Sequence, residues 1–195
     1  KPVKPTPKPK QASAPSAEWQ GTPNWLQLPK GLQHLGGAHG DVAVSENGDE
    51  YISLTSGLRA GIQVYDKDGK YLRNLPDAPR DFHGFVIHKD KNGVEYIYGP
   101  QLGAGKILKM TLDGKIVLTI PGDAIPKEHW KVHPKSKKPM LRMTACDVAP
   151  NGDIFVTDGY ATDLIHKIDH KGDYKATFGG KSAPYEFSTL HKIAV

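Results

Sequence analysis

The sequence has few of the features that would mark a cross-linked, membrane-spanning or nucleic-acid-binding protein. Cys146 is the single cysteine among 195 residues, so no disulfide can form within the chain. No apolar run approaches the roughly 18 residues that a membrane-spanning helix needs. Basic residues outnumber acidic ones by only 26 to 21, and no stripe of aromatic and basic residues accompanies the lysines, so we expect no nucleic-acid ligand. The length is sufficient for one domain with a sizeable core.

The first residues differ from the rest in composition. Residues 1–18 are rich in Pro, Lys, Ala and Ser, which predicts a disordered, partly polyproline linker. Such a tract is typical of the tether that remains after an export signal or lipid anchor is removed, so we expect an exported protein that is periplasmic, secreted or surface-tethered. Apolar residues return from Trp19 to Leu35, and this part is predicted to pack on the domain as a lead-in or a closing strand.

Three segments of the remaining sequence share one layout of short apolar strands and glycine turns. The first hairpin of each segment is marked by an Asn-Gly pair: Asn47-Gly48, Asn92-Gly93 and Asn151-Gly152. The second hairpin is marked by a further glycine pair: Asp68-Gly69, Asp113-Gly114 and Lys171-Gly172. These dipeptides suit tight hairpins because their residues tolerate positive φ angles. Each segment is therefore predicted to form a four-stranded antiparallel sheet.

Four strands per roughly 45 residues is typical of a β-propeller blade. We predict an all-β fold, a partial propeller over residues 19–195, with blades at about 36–78, 79–122 and 143–182 and the first strand of another blade at 187–195. A ring of six such blades would need about 270 residues. We therefore expect that this sequence is a fragment of a six-bladed ring or that another chain completes the ring.

An insertion at residues 123–142 interrupts the third repeat. It contains His129, Trp130, His133 and four lysines between residues 131 and 138. Its charge favours a solvated loop between blades. The alternative is that the segment 121–143 forms a lid, or docks a protein partner, over one face of the ring.

Histidines alternate among the predicted inner strands. The residue two positions before each inner apolar pair is Gly40, His83, Thr144 and His191 along the chain. Because alternate blades of a six-bladed ring lie 120° apart, histidines from every second blade would converge on the central channel as a three-His site. Such a site suits Zn²⁺ or a similar ion with an open fourth position. We expect the third ligand in a later blade and His39, one residue out of register, to point elsewhere; alternatively, the two histidines are structural.

Two stretches carry a resemblance to a known family. The first runs from Asp147-Val148-Ala149 through Phe155-Val156-Thr157-Asp158-Gly159-Tyr160, followed by Phe187-Ser188-Thr189-Leu190-His191, and the second is His83-Gly84-Phe85. Both resemble the six-bladed peptidyl-α-hydroxyglycine α-amidating lyases and related bacterial exported propellers with NHL repeats. The resemblance covers about residues 36–195, and its most specific part is the Thr-Asp-Gly-Tyr segment.

The resemblance implies roles for individual residues. His83 and His191 match two zinc ligands, and Tyr160 matches a tyrosine that acts as a base. Phe85 matches a residue that offers its carbonyl to a calcium ion. The family's substrate-binding arginine has no counterpart at the expected position, Ser53-Leu54-Thr55, and Arg59, in a loop, is the nearest candidate. This departure weakens the expectation of lyase activity more than that of a metal site.

Two functions remain open from the sequence. The first is a metal-dependent lyase-like or hydrolase-like propeller that binds a small molecule or peptide in its central channel, with zinc and calcium as the implied cofactors. The second is a non-catalytic propeller that binds a protein, peptide or glycan on one face. A propeller fold hosts both functions and does not decide between them. A calcium-dependent lactonase-type propeller is disfavoured because the inward positions supply no acidic or amide ligands.

Overall fold

The computed structural model describes residues 20–195. Within them lie three four-stranded antiparallel sheets, each a meander in which consecutive strands pair. The chain therefore forms three blades of a β-propeller, as the repeat predicted. The predicted linker at residues 1–18 lies outside the described residues.

The bounds of the strands follow the repeat. The first sheet comprises β1 (Val42–Val44), β2 (Glu50–Leu54), β3 (Gly61–Tyr65) and β4 (Tyr71–Asn74). The second comprises β5 (Val86–Lys89), β6 (Glu95–Gln101), β7 (Lys106–Thr111) and β8 (Ile116–Pro121). The third comprises β11 (Ala145–Val148), β12 (Ile154–Thr157), β13 (Leu164–Ile168) and β14 (Tyr174–Gly179).

The hairpin turns lie where the glycine pairs predicted them. Gly48, Gly93 and Gly152 each donate a main-chain hydrogen bond of 2.8–2.9 Å across the first hairpin turn of their sheet, and all three have a positive φ angle. All these turns lie at one end of the sheets. The loops between second and third strands, and the connections between sheets, lie at the opposite end, which we call the loop rim.

The core consists of apolar layers between adjacent sheets. Phe85, Ile97 and Met110 of the second blade pack on Ile62 and Val64 of the first, and all five are fully buried. A second layer joins the second and third blades, and Cys146 lies in it with no exposed surface. Stacking of neighbouring blades therefore buries the faces that one sheet alone would leave exposed.

The lead-in segment covers part of the outer face of the first blade. Leu26 and Leu35 pack against Ile52, Leu54 and Tyr65, and the main-chain N–H of Gln27 donates to Gly69 over 2.7 Å. At the inner strand of the same sheet, Val42 and Val44 stay more than half exposed. The lead-in thus packs on the domain as expected and leaves an apolar strip uncovered.

The insertion is more ordered than a solvated loop. It contains two 3₁₀ turns, Gly122–Ala124 and Lys127–His129, and a two-stranded hairpin of β9 (Lys131–Val132) and β10 (Pro139–Met140). Ile125 and Leu141 are buried in the core between the second and third blades, and the Trp130 indole N–H donates to the Ile125 carbonyl over 3.0 Å. Burial of these apolar residues holds the insertion against the blades and leaves its lysines exposed.

The last described segment and the helical turns differ from the blades. Residues 187–195, predicted as an inner strand, contain no strand; an inner strand forms by pairing with a following strand, and the described residues supply none. The two 3₁₀ turns are the helical elements of residues 20–195, and neither has the length or apolarity to cross a bilayer.

Candidate functional site

Three histidines and one tyrosine converge at the loop rim. The Tyr160 hydroxyl oxygen lies 2.9 Å from Nε2 of His39, 3.2 Å from Nε2 of His83 and 2.7 Å from Nε2 of His191. The three histidines can each offer one nitrogen such that all three nitrogens lie within 4.8 Å of one another. We call these four residues the axial cluster.

Each member of the axial cluster comes from a different part of the chain. His39 precedes β1, His83 lies in the connection between β4 and β5, Tyr160 lies in the loop between β12 and β13, and His191 follows β14. Since all of these segments lie at the same end of the blades, the meander topology brings the side chains together. The expected convergence of His83, His191 and Tyr160 on one rim is confirmed.

The expectation that His39 points away from the cluster is wrong. The reason is a bulge in the segment that precedes β1. The main-chain N–H of Ser53 donates to the Asp41 carbonyl, and that of Thr55 to the Gly37 carbonyl, so an advance of two residues from Ser53 is matched by four residues in the segment before β1. The extra residues bulge out of the ladder, which re-aims a side chain. The sequence did contain a signal for His39, because His39-Gly40 repeats the dipeptide His83-Gly84.

The backbone fixes the tautomer of two of the histidines. Nδ1 of His83 lies 2.8 Å from the Thr144 carbonyl oxygen, and Nδ1 of His191 lies 2.8 Å from that of Thr189. A carbonyl oxygen only accepts, so both Nδ1 atoms carry hydrogen, and the tautomer that this selects has its lone pair on Nε2. A β-carbon at Gly84 would lie 2.6 Å from the Thr144 carbonyl, so the glycine permits the close approach that this bond needs.

The axial cluster holds more imidazole nitrogens than its tyrosine hydroxyl can satisfy. Burial lowers the pKa of His83, and the neighbouring His39 and His191 lower it further, so its ring is held neutral. The Tyr160 hydroxyl has one proton to donate and faces three imidazole nitrogens. At most one of the tautomer-fixed nitrogens can receive that proton. The other is left with a lone pair aimed at the hydroxyl oxygen, an arrangement that a bound cation would relieve.

The donor set fits zinc in kind. Catalytic zinc sites use three imidazole ligands and a fourth position for water or substrate, and the carbonyls bonded to the second ring nitrogens of His83 and His191 are a usual partner of such ligands. The segment that carries His191 is further tied to the first blade, because Lys192 forms an ion pair with Asp41.

The structure does not bring Arg59 to the axial cluster. Its guanidinium lies over the ring of Tyr71, 5.2 Å from the ring centroid, and donates to the Tyr71 hydroxyl over 3.0 Å. These contacts hold the exposed side chain on the outer part of the first blade. A catalytic or substrate-binding role for Arg59 finds no support in this geometry.

Phe85 has a clear packing role. Its ring has no exposed surface and stacks on that of Phe82 with centroids 5.8 Å apart. These contacts concern the ring of Phe85 and do not test whether its carbonyl binds calcium, so the calcium site stays a prediction.

Blade stacking defines the chain as part of a β-propeller, and the axial cluster is its candidate functional site. The particular resemblance is to a probable peptidyl-alpha-hydroxyglycine alpha-amidating lyase of Caenorhabditis elegans, with 29% identity over 137 residues. The match covers 68% of this chain and 34% of the relative, so the chain spans about a third of the length of the curated relative it matches. The sequence matches no family model.

Solved structures whose backbone is similar to that of this chain include a streptogramin B lyase. Its TM-score is 0.48 and its identity 20%, over 74% of this chain and 41% of that one. A virginiamycin B lyase from Staphylococcus aureus has a TM-score of 0.45 and 23% identity over 71% of this chain and 40% of that one. Scores of this size carry no inference about chemistry, and the fold assignment rests on the sheets of this chain.

Proposed function

We propose that this chain belongs to a metal-dependent lyase that cleaves peptides ending in α-hydroxyglycine or a related hydroxylated residue. The observation that carries the proposal is the convergence of three imidazole Nε2 atoms on one tyrosine hydroxyl. The similarity to an amidating lyase supports the choice of substrate class.

The residues that would hold the metal are His39, His83 and His191. Zn²⁺, when bound there, supplies a Lewis acid that polarises a substrate oxygen. Thr144 and Thr189 would keep the ligating nitrogens unprotonated, because their carbonyls retain the proton on the opposite nitrogen of His83 and His191.

The reaction class needs two proton movements. In an α-hydroxyglycine, the hydroxyl and the amide nitrogen share one carbon. Cleavage removes the hydroxyl proton, forms a carbonyl at that carbon, breaks the carbon–nitrogen bond and places a proton on the nitrogen, which leaves as an amide. A side chain that can both accept and return a proton suits this sequence. Tyr160 is suited to this role because the residue is half-buried at the rim and its hydroxyl is hydrogen-bonded to imidazole nitrogens.

The test combines metal binding with activity. Zinc content and zinc affinity are measured for the metal-free protein, with His39→Ala, His83→Ala and His191→Ala as test variants and the exposed His34→Ala as the matched control. We expect each test variant to lose at least tenfold in zinc affinity and to lose cleavage of a peptidyl-α-hydroxyglycine, while His34→Ala keeps both. Wild-type protein that binds no zinc and cleaves no such peptide would refute the proposal.

The second function, a non-catalytic binding propeller, is favoured by the charge of the insertion. Residues 122–142 contain five Lys and one Arg against one Asp and one Glu, and the lysines of the β9–β10 hairpin are exposed. This surface would suit an acidic protein or peptide. On this alternative, replacement of Lys135, Lys137 and Lys138 by Glu abolishes partner binding and the histidine variants leave it intact.

A further inference from the structure

We infer that Thr144 is the positioning residue that orients the axial cluster; this inference rests on the proposed function for its link to catalysis. Thr144 occupies the inner-strand position of the third blade that His83 occupies in the second and His191 in the sequence that follows. It has no exposed surface. At the position where these two segments carry a histidine, the third blade carries Thr144. Thr144 contacts His83 and the residues that directly precede His191 and Tyr160.

The main chain of Thr144 acts on His83. Its carbonyl oxygen accepts the Nδ1–H of that ring over 2.8 Å, which sets both the tautomer and the orientation of the imidazole. This contact involves no side-chain atom, so a substitution at position 144 leaves its chemistry in place.

The hydroxyl of Thr144 acts on two further members, His191 and Tyr160, through the residues that precede them. It donates to the Leu190 carbonyl over 2.6 Å, one residue before His191. It accepts the main-chain N–H of Gly159 over 3.3 Å, one residue before Tyr160. The Thr157 hydroxyl lies 2.9 Å away and can donate to the remaining lone pair. One donated and two accepted bonds use the full hydrogen-bonding capacity of the hydroxyl, so its removal leaves these partners without their Thr144 bond.

The peptide that precedes His191 is held at both ends by the third blade. The Leu190 N–H donates to Asp163 Oδ1 over 3.0 Å, and its carbonyl accepts the Thr144 hydroxyl. Residues 187–195 contain no strand of their own, so these two bonds hold the segment immediately before His191, and the Lys192–Asp41 ion pair holds it immediately after. Loss of the Thr144 hydroxyl should therefore release His191 while His83 keeps its carbonyl partner.

The test uses variants that separate this role from ordinary burial. Thr144→Val removes the hydroxyl at nearly constant volume, Thr144→Ala removes it without placing a methyl group beside the Leu190 carbonyl, and Thr144→Ser retains it. Thr157→Val is the matched control, because it deletes a neighbouring buried hydroxyl whose partners are Thr144 and Ala145. The Ala variant answers the question if the Val variant fails to fold.

The first readout is zinc affinity of the folded protein. Loss of a group that bonds a ligating imidazole typically costs about 10–100-fold in metal affinity, and we expect Thr144→Val and Thr144→Ala to lose about tenfold, the lower end, because the hydroxyl holds the main chain beside His191 and not its ring. Thr144→Ser should stay within about threefold of wild type, and Thr157→Val should lower the melting temperature without a comparable loss of affinity. Equal losses in the Thr144 and Thr157 variants, or no loss in the former, would overturn the inference.

The second readout needs no metal and keeps the inference testable if the wild type binds no zinc. Imidazole NMR signals are compared in metal-free protein. We expect the His191 signals to broaden or shift in Thr144→Val and to stay in place in Thr157→Val, with the buried His166 ring as an internal reference in both. Unchanged His191 signals in the Thr144 variants would refute the positioning role, whereas absent zinc binding by wild type would count against the proposed function alone.

Discussion

Gly159 packs so closely on Leu190 that a β-carbon at position 159 would lie 1.7 Å from the Leu190 carbonyl oxygen. The two residues directly precede Tyr160 and His191 in the sequence. The contact therefore sets the separation between the tyrosine and one of the histidines, which is 2.7 Å between the hydroxyl oxygen and Nε2.

Replacement of Gly159 by Ala should force these two segments apart. We expect a loss of about 1–3 kcal/mol in the free energy of unfolding, as for other overpacked sites, together with weaker zinc binding. Urea denaturation and zinc titration measure the two effects. Gly21→Ala is the control, since a β-carbon there meets no atom within 4 Å. Wild-type zinc affinity in Gly159→Ala would show that the separation does not matter.

Replacement of Tyr160 by Phe should separate proton transfer from metal binding. General acid–base groups typically contribute about 10²–10⁴-fold to rate, and we expect kcat on a peptidyl-α-hydroxyglycine to fall within that range. Zinc affinity should change by less than about tenfold, because the three imidazoles that fit the ion remain. Tyr185→Phe, at a site 46% exposed, is the control. Full activity of the Phe variant would remove Tyr160 from the chemistry.

The buried His166 should make the protein less stable as the pH falls. Burial lowers the pKa of His166 to about 4, and the nearby His129 contributes. The unfolded chain, with its pKa near 6.5, binds a proton between about pH 4 and pH 6.5 that the folded chain does not bind. The stability due to this residue is therefore complete above about pH 6.5 and declines toward pH 4.

Asp158 works in the opposite direction over part of the same range. Burial raises the pKa of its carboxyl to about 6, so the folded chain binds the extra proton between pH 3.8 and about 6. His166→Gln should isolate the histidine term: urea denaturation of metal-free protein at pH 6.5, 5.5 and 4.5 should give a smaller loss of stability than in wild type. The exposed His34→Ala should retain the wild-type slope. An unchanged slope in His166→Gln would contradict the expectation.

The uncovered strip on the first blade should promote self-association of this chain. Val42 is 53% exposed and Val44 57% exposed on the inner strand, where apolar residues of the other blades are packed. Val42→Lys combined with Val44→Lys should shift sedimentation toward monomer. Val132→Lys, at an equally exposed position on the insertion, is the control. A chain that is monomeric without the lysines would contradict this prediction.

Most of the fold could be predicted because it depends on local signals. Glycine pairs set the hairpin turns, and the spacing between them gave the four-stranded units. The convergence of His83, His191 and Tyr160 then followed from their equivalent places in the repeat. Residues 187–195 were the exception, since strand formation there depends on a pairing partner and not on the sequence of the segment.

The rest of the site depends on contacts that the alignment of the repeats does not predict. His39 reaches the cluster through a bulge whose extra residues are visible only in the hydrogen bonds of Ser53 and Thr55. Arg59 was assigned from its position in the sequence, and its contact with Tyr71 decides where the side chain lies. The role of Thr144 depends on bonds to residues more than 40 positions away in the chain.

On the proposed function, the origin of the three histidines in separate parts of the chain would couple metal binding to blade assembly. An ion held by His39, His83 and His191 would require the segments that carry them to be brought together, although 152 residues separate the outermost two in the sequence. By linkage, free metal at 100 times its dissociation constant would add about 2.7 kcal/mol to the assembled state. Chelation would then loosen the contact between blades as well as empty the site, so the melting temperature of the protein would report the concentration of free metal.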